Sequence, residues 1–168
     1  MEKTIKFSNL EVRIKETESE AHYSFSGDVD ENFLQEQIPR VKKDYLTFEL
    51  EHIRNFNSCG IREWIYFIKD MSENGQMIFK SCSVAVIDQI NLIPDSIGNA
   101  QIESLFAPYY CECQGEVNKL IDVKSSYDLL SKKLAPEFNC DKCGQPLEFD
   151  ALEESYFLFA NGALPEVG

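Results

Sequence analysis

The chain has 168 residues, 43% hydrophobic and 12% aromatic, enough for the core of one ordinary domain or of a domain with a small appendage, and too apolar for a disordered chain. Its 16 Lys and Arg stand against 29 Asp and Glu, a formal charge of -13 that repels phosphate backbones and anionic lipids, so neither nucleic acid nor a membrane is an expected partner. No apolar run exceeds five residues, where a membrane-spanning helix needs about twenty, and Met1-Glu2-Lys3-Thr4-Ile5-Lys6 lacks a signal peptide's apolar core, so a cytoplasmic location with reduced thiols is expected.

In chain order, a first strand is predicted near Ile5 to Ile14, a second ends at Gly27-Asp28-Val29-Asp30, and a helical segment runs from about Glu31 to Lys42. Apolar residues alternate through Leu46-Thr47-Phe48-Glu49-Leu50, the two-residue period of a strand buried on one face. From Ile61 the period changes: Ile61, Trp64, Ile65 and Ile68 fall on one side of a helix. Between the two lies Asn57-Ser58-Cys59-Gly60. Serine is a good N-cap and glycine tolerates unusual backbone angles, so a capped turn is expected there. Met77 to Phe79 read as a strand, Val84, Ile87 and Ile90 as the apolar side of a second helix, and Gln101 to Phe106 as the last strand of a first domain.

Ser58 has two readings. It either caps the helix and does nothing more, or it accepts a phosphate, whose 1.5 to 2 or so negative charges would be tolerated beside the unpaired amides and positive end of the helix. The same charge in a contact with a partner would break that contact.

At these residues the chain resembles a STAS domain, the fold of bacterial anti-sigma factor antagonists, in which a strand leads into Asp-Ser-Ser-Gly or Asp-Ser-Thr-Gly and then a helix. The step from Gly27 to Asp30 is that family's second landmark, and the order of elements agrees over roughly the first 105 residues. Asn57 and Cys59 depart from the family's aspartate and second hydroxyl residue. The resemblance implies an α/β fold with a mixed sheet and helices packed on it. It also implies a regulatory role in which Ser58 is the phosphoacceptor, Asp30 lies on a neighbouring loop, Asn57 and Gly60 shape the turn, and Arg62 and Glu63 meet a protein partner. That partner would be an anti-sigma factor or a related kinase.

The six cysteines of a chain expected in a reducing compartment read as metal ligands, core residues or reactive thiols. Cys111 and Cys113 form one pair and Cys140 and Cys143 another, with Gly115 and Gly144 just beyond each and 26 residues between the pairs. Two thiolate pairs on tight turns are what a tetrahedral structural zinc site requires, and the arrangement resembles a zinc ribbon, although Cys111-Glu112-Cys113 is one residue shorter than the usual knuckle. Four cysteines without a histidine describe a closed, architectural site. So small a lobe needs such a staple, and zinc binding of about 10 to 16 kcal/mol in finger peptides is enough to decide its folding. Cys59 and Cys82 stand apart and are expected to be buried as small hydrophobes.

A boundary near Ala107-Pro108 divides the chain into residues 1–106, STAS-like, and 107–168, a zinc-ribbon-like β lobe, with Tyr109, Tyr110, Phe149, Tyr156, Phe157 and Phe159 available to pack between them. Tyr156-Phe157-Leu158-Phe159 reads as a strand or an exposed docking element. The chain carries no phosphate-binding glycine loop, Gly-x-Ser-x-Gly elbow, His-Glu-x-x-His or dinucleotide fingerprint, and no catalytic residue is assigned. The expectation is a non-enzymatic regulatory binding protein with structural zinc. Two readings compete with it: an unphosphorylated adaptor that binds through the ribbon, and a thiol-disulfide oxidoreductase using Cys140 and Cys143.

Overall fold

Two sheets organise the chain in the computed structural model, which describes residues 1–165. Strands β1 (Glu2–Lys6) and β2 (Leu10–Glu16) form an antiparallel hairpin closed by the Phe7 amide on the Leu10 carbonyl at 2.8 Å. The single strand predicted over Ile5 to Ile14 is therefore two. Strand β3 (Glu20–Val29) continues the meander, and β4 (Tyr45–Phe56), β5 (Gln76–Lys80) and β6 (Gln101–Ile102) each add in parallel, so that spatial order follows sequence order. Along β2 and β3, Val12, Ile14, Tyr23 and Phe25 are buried, while Arg13, Lys15, Ser24 and Ser26 point to solvent.

Parallel neighbours need crossovers. Helix α1 (Ser58–Ser72) links β4 to β5, and α2 (Val84–Leu92) links β5 to β6. The link from β3 to β4 is not the helix predicted over Glu31 to Lys42 but an extended segment with one 3-10 turn, Gln35–Gln37. Pro39 has no amide to donate and disfavours helical angles at Ile38, which is extended (φ -84°, ψ 124°). Burial of Phe33 and Ile38 outweighs the helix propensity of the polar residues between them.

On α1, Trp64, Phe67, Ile68 and Met71 form the buried stripe, with Ile61 and Ile65 on its half-buried edges. Phe67 meets Tyr23, Phe25, Phe33 and Phe48 at ring distances of 5.9 to 6.4 Å, and each such side chain contributes about 1.5–3 kcal/mol on leaving water. This packing fixes α1 on the sheet. The Trp64 indole N–H donates to the Ser96 carbonyl at 3.0 Å, so the only tryptophan is also satisfied as a donor.

The predicted strand Gln101 to Phe106 divides at Glu103. Beyond it, β7 (Ser104–Cys111) is the centre of a second, three-stranded antiparallel sheet between β8 (Gly115–Asp122) and β9 (Glu148–Phe149). The 106/107 boundary falls inside β7. The Cys82 amide donates to the Ser104 carbonyl (3.1 Å), and the Cys82 carbonyl accepts from the Phe106 amide (2.8 Å). One apolar cluster runs from Leu10 through Tyr109 to Ala163.

Short helices α3 (Tyr127–Ser131) and α4 (Glu153–Tyr156) follow, then a 3-10 turn, Leu158–Asn161. The Tyr156-Phe157-Leu158-Phe159 run is thus helical, not a strand. Tyr109, Phe149, Tyr156, Phe157 and Phe159 form a linked set of ring contacts, whereas Tyr110 points outward. Asn91 of α2 ties this end down, donating to the Tyr156 carbonyl (2.7 Å) and accepting from the Phe159 amide (2.9 Å). Among the described residues no helix is long and apolar enough to cross a membrane.

Candidate functional site

The four paired cysteines converge. Cys111 ends β7 and Cys113 lies in the turn to β8. The chain reverses between them, the Gln114 amide donating to the Cys111 carbonyl (3.3 Å), and this tight turn brings both sulfurs of the short Cys-x-Cys pair to one side. Across from them Cys140 and Cys143 bracket a turn closed by the Gly144 amide on the Cys140 carbonyl (2.9 Å) and by a bridge between Asn139 and Pro146. Gly115 (φ 78°) and Gly144 (φ 73°) have open space where a Cβ would sit, so it is the backbone angle that calls for glycine. The 26-residue spacer is taken up by β8, α3 and the segment after it.

Sulfur separations are 3.5 Å for Cys111 and Cys113, 3.4 Å for Cys111 and Cys143, and 3.4 Å for Cys113 and Cys140, and all four lie within 4.8 Å of one another. Four thiolates at about 2.3 Å from a tetrahedral ion would stand about 3.8 Å apart, so the cluster fits a four-coordinate metal. Cys111 and Cys140 are buried, and Cys113 and Cys143 face solvent.

The thiols are not equivalent. Backbone N–H groups of Cys143 and Lys142 donate toward Cys140 Sγ and bring that thiol down to about 6. Cys113, held between the sulfurs of Cys140 and Cys111, is pushed up to about 12. Cys111 is pulled down by the Cys113 N–H, but the neighbouring Cys143 and Cys140 thiols and desolvation leave it raised on balance. Without metal, therefore, Cys140 is the thiol of these three most readily ionised, and the Cys113 and Cys111 thiols stabilise its thiolate. No helix starts at Cys140, so the dipole that activates thioredoxin-like thiols is missing from this turn.

The second site is the junction of β4 with α1, at the C-terminal ends of parallel strands, where open α/β sheets commonly place ligands. Asn57, not Ser58, is the N-cap: its Oδ1 accepts from the Gly60 amide at 2.8 Å. Ser58 is the first helical residue, is exposed, and has no side-chain hydrogen bond among the described residues. Gly60 is needed for close approach and has no positive φ; a Cβ there would lie 1.9 Å from the Val29 carbonyl oxygen and 2.7 Å from the Asp30 nitrogen. That contact sets the first turn of α1 against the end of β3. Cys82 is fully buried as expected, but Cys59 is exposed, because the first-turn position beside Ser58 faces away from the sheet.

Asp30 is half-buried beside this turn and accepts from the Asn9 amide group (2.7 Å) and the Asn32 backbone (2.9 Å). Gly27 has φ 127°, and a Cβ on it would lie 2.0 Å from the Asn9 carbonyl oxygen, so the Gly27-to-Asp30 step is built around the β1–β2 turn. Asn9 and Glu31 are contributors that no periodicity marks. Glu31 accepts from the Asn57 Nδ2 group, so an aspartate at position 57 would set one carboxylate against another. Arg62 is exposed and its guanidinium lies 3.7 Å from the half-buried Glu63 carboxylate.

No protein family, no curated protein and no solved structure matches the chain.

Proposed function

We propose that this is a regulatory, non-catalytic protein-binding module of STAS-like architecture, braced by a structural zinc ion on Cys111, Cys113, Cys140 and Cys143. A protein partner binds over the start of α1 and is released by phosphorylation of Ser58. The observation that carries the reading is the exposed Ser58 hydroxyl on the first residue of α1, set by the Gly60 contact beside Asp30. A kinase would transfer the γ-phosphoryl of ATP to Oγ and release ADP. The phosphate would sit where helix amides favour negative charge, so the fold tolerates it, while Asp30 and Glu31 nearby concentrate acidity on the docking surface. Arg62 and Glu63 would form part of that surface. An anti-sigma factor or a related kinase is the partner class the STAS resemblance implies.

Proteins retained from the source cell by wild-type, Ser58→Ala and Ser58→Asp baits test this reading, together with intact-mass analysis after incubation with a retained kinase and ATP. Release of a partner by Ser58→Asp alone, and one phosphate lost with Ser58→Ala, are expected. A partner indifferent to Ser58→Asp but lost on Cys140→Ser would instead favour an adaptor binding through the ribbon. Less than half an equivalent of metal with a reversible Cys140–Cys143 disulfide would favour thiol-disulfide exchange.

A further inference from the structure

The side of the molecule where α2 meets the C-terminal segment exposes three leucines: Leu92 (75% exposed), Leu152 (77%) and Leu158 (44%). They line a groove of about 430 Å³ together with Asp88 and Tyr156. A second hollow, of about 360 Å³ and lined by Ile90, Pro94, Ile97 and Phe159, adjoins it, with Asn91 and Leu158 in the wall of both. Single exposed leucines are ordinary, but three around one groove form an apolar patch of the kind that marks interaction sites.

The one charged residue lining the two hollows is the acid Asp88, and the segments that form their walls carry only further acids. Residues 84–97 and 150–163, which supply these walls, contain Asp88, Asp95, Asp150, Glu153 and Glu154 and no lysine, arginine or histidine. Helix α2 ends here with no basic residue in its last turn, so its unpaired carbonyls add negative potential. The Asn91 bonds to both sides of Leu158 hold the walls in place, so the groove is formed in advance.

We propose that this groove docks a basic amphipathic helix from a protein partner, with one apolar side chain in each hollow beside Leu158 and lysines or arginines against the acidic rim. Two hollows side by side suit the i and i+3 or i+4 anchors of a helix. A second copy of this chain, itself at -13, would bring like charge to an acidic rim, so charge disfavours self-association there. The groove shares no residue with the Ser58 surface, and its occupancy does not depend on phosphorylation.

The test is fluorescence anisotropy on the full chain with a labelled synthetic helix of about four turns bearing leucines on one face and lysines on the other. Its control has the same charge with serines for leucines. Saturable binding is expected, weakened about tenfold or more both by the serine control and by Leu92→Ser with Leu152→Ser in the protein. These two leucines are at least three-quarters exposed, so the double variant should keep its circular dichroism and melting temperature. Ser58→Asp should leave peptide binding unchanged, which separates failure here from failure of the switch. Equal binding by wild type and double variant, or by both peptides, would overturn the proposal. So would a dimer, or binding to zwitterionic lipid vesicles, that the double variant abolishes, since either would name another occupant.

Discussion

Zinc uptake by metal-stripped protein at pH 7 should expel at least two protons. Zinc takes thiolates, and at this pH Cys140, brought to about 6, is already mostly ionised, whereas Cys113, pushed up to about 12, and Cys111, raised by its neighbours, still carry theirs. Both must leave. Protons therefore compete with the metal, and affinity falls as pH falls. With two released protons, apparent affinity rises about 100-fold between pH 6.5 and 7.5, and below about 6 the slope steepens by one more proton as Cys140 protonates. Competition against a chromophoric chelator over a pH series gives the slope, and calorimetry in buffers of different ionisation enthalpy counts the protons independently. A slope of one or less above pH 6.5, or no steepening below 6, would refute the assignment of Cys140 as a preformed thiolate beside protonated Cys111 and Cys113.

The junction at α1 gives two further expectations. Gly60→Ala should destabilise by about 3 kcal/mol in urea titration, as overpacking against backbone does, although helix propensity alone predicts a gain of about 1 kcal/mol; a raised melting temperature would show that the Val29 contact yields freely. Asn57→Ala should cost about 1 kcal/mol through loss of the cap to Gly60. Asn57→Asp keeps that cap but sets two carboxylates together with Glu31, so its deficit relative to wild type should shrink as pH falls through the carboxylate range; a deficit independent of pH between 7 and 4, followed by thermal melts, would count against the Glu31 contact.

How far the sequence was legible follows from how local each signal is. The change from a two-residue to a helical period at Asn57–Ile61 needs only neighbouring residues, and the junction is where the period places it. The cap moved by one because both Asn57 and Ser58 suit an N-cap, and only the position of Val29 against Gly60 decides where helical turns begin. The segment from Glu31 to Lys42 departs from its local signal for a different reason. Its Glu, Gln and Lys content favours helix, but Phe33 and Ile38 are claimed by a core made from β3, β4 and α1, none of it local. The β1–β2 hairpin turns through Phe7-Ser8-Asn9, with no glycine or proline to mark it. Asn9 and Glu31 carry no local signal, because their partners lie 21 and 26 residues away. Cysteine spacing, by contrast, is nearly sufficient alone, since few arrangements other than a shared ligand bring two such pairs together.

The cysteine cluster and the leucine groove are joined by covalent and aromatic continuity, and that predicts how far the effect of a chelator on the cluster spreads. The Cys140–Gly144 turn leads directly into β9, where Phe149 stacks on Phe157 at 5.3 Å and meets Tyr109 at 5.4 Å; Phe157 immediately precedes Leu158. Tyr109 in turn donates to the Pro136 carbonyl at 2.6 Å, just ahead of the second cysteine pair. Releasing the two turns from each other frees β9 from β7, a pairing of only two residue pairs, before it disturbs anything under α1, whose contacts are with Tyr23, Phe25 and Phe48. Hydrogen exchange with and without chelator should therefore show protection lost first over β9 and the segment from it to about residue 163, and kept in α1 and β3 to β5. The synthetic helix should bind the stripped protein more weakly, while the Ser58 surface stays intact. Exchange that rises uniformly across both sheets on chelation would mean that the continuous core, and not the cysteine cluster, sets the unit of unfolding.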